Sequence, residues 1–333
     1  PMEFGVILYS ILLFFVLAQF NIKLKPIDFV LISITGILLF YYVFTNAAPV
    51  FDIVNVVRFS LGIILFVFYF QNKVTFDATK LLYLLLISIY VEAILINTII
   101  NIYDMPNFPD ESVGGNSHFT SNVATQYELG GGLGQSRVGF DTPIGFGGIR
   151  SVTANVLVLL LFISKIKLRL ELIVLLTILF LGTGTGFLSF IIYAIIKKRY
   201  IYLIGIYLLP LLLIYEDSPF YKISPTYFDV LFNVKMGAIA GSYVDKTVYD
   251  FFVGVGQSDG SSDFAWLLIL RSLGVIFLII FIVWFFSKFS RFNMGPLLIV
   301  FIVTFHYPVL FSVPGQLIIG YIISRSFRKE NYL

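Results

Sequence analysis

Apolar residues fill nine stretches of the chain, 4–20, 27–44, 51–70, 80–101, 149–163, 168–196, 200–214, 264–287 and 294–324, and short basic clusters separate many of them. A helix that crosses a bilayer needs about 20 apolar residues, with about 17 as a lower bound. Seven of the stretches predict one crossing each. The stretches 168–196 and 294–324 are too long for one ordinary crossing and too short for two generous ones. Within 264–287, Trp266 and Trp284 stand 18 residues apart, or about 27 Å along a straight helix, which predicts a tryptophan at each interface. The first stretch has no basic leader and no small-residue cleavage site, so it reads as a retained helix, and Pro1 before Met2 reads as a cleavage scar.

The basic residues choose between the two topologies. If both long stretches are helical hairpins, the loops 21–26, 71–80, 164–169, 197–199, 287–293 and 325–333 share one face and hold 15 of the 22 Lys and Arg. Arg137, Lys222, Lys235 and Lys246 then lie opposite. If each stretch crosses once, the split falls to 13 against six. Cytoplasmic loops carry the excess of Lys and Arg, so the hairpins are predicted. "GTGTG" (Gly182 to Gly186) then becomes a tight turn at the extracytoplasmic face. Glycine costs about 1 kcal/mol in a helix interior but little at a turn, and threonine hydroxyls can serve backbone groups that water does not reach. Pro308 and Pro314 interrupt the second long stretch in the same way.

This predicts an all-α integral membrane protein, one polytopic domain over 1–333. It has about eleven transmembrane helices, including the two short hairpins, with its amino terminus outside and its carboxyl terminus inside. Two long extracytoplasmic loops follow, at about 102–148 and 215–263. The first is rich in Gly, Ser and Asn and predicts little regular structure. In the second, Ser224 and Pro225 can open a helix, and Tyr227, Val230, Leu231 and Val234 give it an apolar face suited to the membrane surface.

Composition agrees. Of 333 residues 59% are hydrophobic and 12% charged, against about 25% charged in a soluble domain. The mean hydropathy is +0.95. The net charge of +3 sits in topological clusters and does not point to nucleic acid, and the absence of cysteine excludes disulfides.

Three basic residues belong to apolar stretches rather than loops: Arg58, Arg150 and Arg271. A charge at the bilayer centre costs about 2.5–3.5 kcal/mol on insertion scales, so each requires a reason. Arg58 and Arg271 lie seven residues in from the outer end of their stretches, about 10 Å deep. Glu92 lies about 13 Å deep, Arg150 at an outer helix mouth and His306 at the outer end of a half-helix. Singly, each has a plain reading: Arg58 snorkels, Arg150 anchors, Arg271 pairs with Glu92, and His306 packs. Their shared depth points instead to an anionic headgroup entering from the outer leaflet. Guanidinium forks match phosphate oxygens, and a neutral histidine is a base near its working range. Almost no ionisable residue falls inside helices in the cytoplasmic half. His118 reads as a solvated loop residue. "GVGQSDG" (254–260) lacks the strand–helix unit of a dinucleotide site, and Glu216, Asp217, Asp259 and Asp263 lack metal-ligand spacing, so no metal or cofactor is predicted.

Four segments carry a family resemblance: "GIRSVTANVLVLLLF" (148–162), "LLTILFLGTGTGFLSFII" (175–192), "FFVGVGQSDGSSDFAWLLILRSLGVIFLII" (251–280) and "TFHYPVLFSVPGQLIIGYII" (304–323). Together they resemble the O-antigen polymerase and O-antigen ligase family over about 149–324. The pattern matches Arg150 and Asn155 at a helix mouth, Gly254, Gly256 and Asp263 before a leucine-rich helix, and His306 in the late segment. Thr183 and Thr185 stand where members commonly carry an arginine in the turn.

The resemblance implies a GT-C-like glycosyltransferase in the bacterial cytoplasmic (inner) membrane, with its active site facing the periplasm. A glycan on undecaprenyl diphosphate is the donor, and a sugar hydroxyl on a second lipid-linked unit is the acceptor. Catalysis falls to His306, Arg150 and Arg271, and substrate binding to Arg58, Glu92, Asn155 and Asp263. A flippase and a chain-length regulator of the same pathway are the implied protein partners. A ligase acting on lipid A core stays open within the family, and a lipid or polysaccharide flippase outside it. The topology carries its own test. Single cysteines at 184, 240 and 311 are expected to label from outside in intact spheroplasts, and one at 198 to stay unlabelled; outside labelling at 198 overturns the hairpins.

Overall fold

In a computed structural model the described residues are 25–44, 50–71, 77–103, 150–164, 168–181, 184–203, 247–254, 265–304, 310 and 313–330. For 43–44, 50–60, 92–103, 150–151, 180, 184, 265, 268 and 326–330 only the backbone is described. The regular elements among these residues are helical, with no strand, as the apolar periodicity predicts. They are α1 (Pro26–Phe44), α2 (Val50–Gln71), α3 (Ala78–Tyr103), α4 (Arg150–Ile163), α5 (Leu168–Leu181), α6 (Gly184–Ile196), α7 (Val248–Val253), α8 (Ala265–Ser287), α9 (Met294–Val303) and α10 (Val313–Glu330). One described segment, Ile269–Ser287, is long and apolar enough to cross a membrane, and shorter apolar helices accompany it. Two compact units divide the chain, one holding α1, α2 and α7 to α10, the other α3 to α6.

In the second unit the stretch 168–196 is broken at 182–183 into α5 and α6. One carboxylate shows that they double back. Glu171, in the first turn of α5, accepts hydrogen bonds from the Tyr193 hydroxyl (2.8 Å), the Tyr202 hydroxyl (2.9 Å) and Arg199 Nε (3.3 Å). Along one straight helix residues 171 and 199 would stand about 42 Å apart. The end of α6 is closed by a Schellman motif. Lys198 takes a left-handed φ of 57°, Arg199 N–H returns to the Ala194 carbonyl (2.7 Å), and Lys198 N–H to that of Ile195 (3.1 Å). The hairpin predicted from the loop charges is therefore present.

In the first unit α1 and the later part of α8 run antiparallel, fastened at both ends. At one end the buried Asp28 accepts from Trp284 Nε1 (2.7 Å) and from the Lys288 ammonium. Burial pushes the Lys288 ammonium below its ordinary value, and the Asp28 carboxylate opposes that shift. Asp28 also accepts from the Lys25 backbone N–H (2.9 Å), so Lys25 and Lys288, from two of the basic clusters, share one end of the unit. At the other end, Tyr42 Oη shares its hydrogen between the carbonyls of Val253 (2.6 Å) and Ser272 (2.9 Å).

The Ser272 carbonyl needs that donor because α8 is not one straight helix. Gly274 has φ 78° and ψ 170°, which frees the carbonyls of the preceding turn. A Cβ on Gly254 would lie 2.5 Å from the Ser272 oxygen, and one on Gly274 would lie 2.5 Å from the Phe252 carbonyl carbon. Two bare backbones thus cross. The bend folds Trp266 onto Phe281 (6.3 Å between rings), which in turn packs on Trp284 (5.6 Å). The indoles are therefore at most about 12 Å apart, not the roughly 27 Å of a straight helix. This corrects the expected tryptophan at each interface: a glycine with positive φ inside an apolar run leaves no hydropathic trace.

The stretch 294–324 is likewise split, into α9 and α10. Gly62 of α2 leaves room for the Gln316 side chain, Gly320 of α10 seats on Phe66, and Phe70 meets Tyr321 at 5.2 Å. These pairs advance together, so α2 and α10 are parallel, with glycines permitting the close approach. Removing one member of a buried ion pair costs about 3–5 kcal/mol, whereas replacing both by apolar or neutral groups is often harmless. Lys288→Ala is therefore expected to destabilise the detergent-solubilised protein by about that amount, and Asp28→Asn with Lys288→Met to recover most of it. Equal losses in a thermal unfolding series would show that the pair is not buried.

Candidate functional site

Helix α4 packs against α6 in parallel. Ser189 Oγ lies 2.5 Å from Asn155 Oδ1, the Phe162 and Tyr193 rings are 5.0 Å apart, and Lys197 Nζ sits 5.3 Å over the Phe162 ring. Counting five residues back from Asn155 and from Ser189 reaches Arg150 and Gly184, the first residues of α4 and α6. The two helix amino termini therefore stand level, with Arg150 opening one and the "GTGTG" break opening the other. Each terminus leaves its first backbone N–H groups without intrahelical acceptors and carries about half a positive charge. Parallel alignment adds the two together.

Beneath this head lie buried polar groups that the helices do not satisfy. Asn155 is 1% exposed, and neither its Nδ2 nor the buried Thr185 Oγ1 has a hydrogen-bond partner. Thr185 stands one turn before Ser189 on the same face of α6. The Ser189 hydroxyl shares its one hydrogen between Asn155 Oδ1 (2.5 Å) and the Thr185 carbonyl (2.9 Å), and the amide NH2 is the end without a partner. A buried donor without an acceptor costs about 1–3 kcal/mol. The head thus offers amide, hydroxyl and backbone donors beside an arginine. Chemically, donors of these kinds match an anion with several oxygens.

The predicted site residues are placed unequally. Asn155 is buried against α6, and Arg150 begins α4. Arg58 and Glu92 lie on α2 and α3 as backbone positions. Arg271 is half-buried on the first arm of α8, three residues before the bend. Arg58 and Arg271 belong to the first unit, and Glu92, Arg150 and Asn155 to the second. Asp263, His306, Gly256 and His118 lie outside the described residues, as does the predicted surface helix near 225–234.

Sequence reasoning passed over Ser189 and gave Thr185 only a turn role, although their i, i+4 spacing in an apolar run was the available signal. It also passed over Asp28, Glu171 and Lys288. Their burial corrects the expectation that helices near the basic loops are almost free of ionisable groups. These groups escaped because they stand within a turn of loop sequence, where a charge reads as solvated. No group of three or more candidate metal ligands occurs among the described residues. No protein-family model, curated protein or solved structure matches the chain.

If Asn155 is kept for a ligand, it is dispensable for folding. Removing both partners of a buried hydrogen bond is nearly neutral, whereas removing one strands the other. Asn155→Leu with Ser189→Ala is expected to unfold within about 1 kcal/mol of the parent while abolishing function. A double variant losing several kcal/mol would make the pair a structural fastening.

Proposed function

We propose that the chain is a glycosyltransferase of the cytoplasmic membrane that polymerises lipid-linked oligosaccharide units into surface polysaccharide. The single observation that carries this reading is the donor-rich head of α4 and α6, with Arg150 at its mouth and uncommitted Asn155 and Thr185 donors below. A multi-oxygen anion fits that head, and a lipid diphosphate supplies one on an apolar tail compatible with an apolar helical protein. The four segments that resemble the O-antigen polymerase and ligase family narrow the anion to undecaprenyl diphosphate carrying a glycan.

In this reading the donor's diphosphate lies at the head. The bond from its anomeric carbon to the diphosphate oxygen breaks as the acceptor's hydroxyl oxygen bonds to that carbon. The proton of that hydroxyl passes to His306, and undecaprenyl diphosphate leaves. Arg150 and the Asn155 amide stabilise negative charge growing on the leaving group, which is the stage at which fixed donors accelerate reaction. The family resemblance would give Arg271 a catalytic role, and Arg58, Glu92 and Asp263 roles in binding the substrate. The chemistry needs no metal, because the diphosphate is already an activated leaving group. A flippase would need a polar path between the two faces. Glu171 and Asp28 supply none, since each is committed to its donors.

General-base loss typically costs about 10²–10⁴-fold in rate, and lysine cannot reproduce a guanidinium fork. In a host deleted for this chain, His306→Ala and Arg150→Lys are therefore expected to accumulate lipid-linked single repeats and to make almost no long polysaccharide. Normal chain-length ladders from both well-expressed variants would overturn the reading. Long chains left on their lipid carrier, with lipid A core bare of glycan, would convert it to the ligase.

A further inference from the structure

Helix α7 presents its apolar side chains outward. Val248 is 76% exposed, Tyr249 53%, Phe251 38% and Phe252 47%, so all but one of its apolar residues are exposed. The helix is nonetheless firmly held. Thr247 and Asp250 form a reciprocal capping box, with Asp250 N–H donating to Thr247 Oγ1 (3.2 Å) and Thr247 N–H to Asp250 Oδ2 (3.0 Å). Its other end is locked where Gly254 crosses Gly274, with the Val253 carbonyl bonded to Tyr42. A segment so fastened cannot turn its aromatics inward.

Its neighbours identify what covers those side chains. The Tyr249 ring meets Tyr41 at 6.0 Å, beside Tyr42, so α7 lies level with the end of α1. The face of α1 leading to that level exposes Phe29, Ile37 and Phe40. Aromatic rings gathered at the end of an apolar stripe mark the boundary between acyl chains and headgroups. The capping box fits this place too, because backbone donors near hydrocarbon must be satisfied within the chain.

We infer that α7 is an interfacial anchor whose Val248, Tyr249, Phe251 and Phe252 enter the outer-leaflet monolayer of a phospholipid bilayer. This rests on the membrane reading and goes beyond the proposed reaction. It gives the Gly254–Gly274 crossing a fixed depth. Arg271, three residues before Gly274, is then held at a set distance from the headgroups.

The chain contains no cysteine, so single nitroxide labels can be introduced without removing any residue first. Val248→Cys, Phe252→Cys, Ile37→Cys and Lys198→Cys, labelled and reconstituted in phosphatidylethanolamine–phosphatidylglycerol vesicles, are compared for collision with oxygen and with a water-soluble nickel chelate. Ile37→Cys reports the lipid-facing stripe and Lys198→Cys a watery loop. Labels at 248 and 252 are expected to favour oxygen, several-fold over the Lys198 label and approaching the Ile37 label. Nickel dominance at both 248 and 252, with Ile37 still favouring oxygen, would overturn the anchor and leave the membrane reading intact. Nickel dominance at Ile37 as well overturns both together. If one of the two α7 variants does not reconstitute, the other decides between the same outcomes.

Discussion

The Glu171 carboxylate sets the geometry on which the second unit depends. Three donors from the far end of α6 and beyond converge on it, and no other arrangement of a 29-residue apolar stretch, 168–196, would bring them there. A buried carboxylate is expensive unless its lone pairs are filled. Two tyrosine hydroxyls and a guanidinium fill them, and Glu171 keeps the base of the hairpin shut. With the base closed, the break at 182–183 is forced to the opposite end. The contacts of Ser189 with Asn155 and of Tyr193 with Phe162 then set the amino terminus of α6 level with that of α4.

The first unit solves a related problem by different means. A break in a helix frees carbonyls, and in apolar surroundings they must find donors within the protein. At Gly274 the donor is one hydroxyl from α1, which also serves the last carbonyl of α7. Sharing is feasible because Gly254 and Gly274 carry no Cβ and their backbones can touch. Tyr42 therefore joins three elements through one hydrogen. The Asp28 cluster repeats the scheme at the opposite end, where one carboxylate receives an indole and an ammonium.

What the chain revealed in advance follows from which physical terms act locally. Helical class and the division of both long stretches were readable, because hydropathy, glycine and loop charge are properties of neighbours in sequence; the five-residue turn expected over Gly182 to Gly186 is corrected, since Gly184, Thr185 and Gly186 already open α6. The bend in α8 was not. "SLGVIF" reads as ordinary helix, and only the approach of Gly254, 20 residues earlier, makes Gly274 different. The site was partly legible for the same reason. Asn155 is conspicuous as an amide in an apolar run, while Ser189 and Thr185 look like tolerated small residues until α4 and α6 are placed in register. Glu171, Asp28 and Lys288 looked solvated because burial at a helix end is a tertiary fact.

The α4–α6 contact also limits what the head can be for. Two helices held by Phe162 on Tyr193 and by Lys197 over the Phe162 ring need no amide between them. Leucine at 155 and alanine at 189 would fill the same core and strand no donor. Instead the interface keeps an amide whose oxygen is tied by Ser189 and whose nitrogen points to nothing in the protein. An uncommitted donor costs about 1–3 kcal/mol, close to what one good hydrogen bond to a charged group returns. The cost and the return balance when an anion is seated at the head. The hairpin base holds the fold, and under the proposed function the anion is what offsets the uncommitted donor at the head.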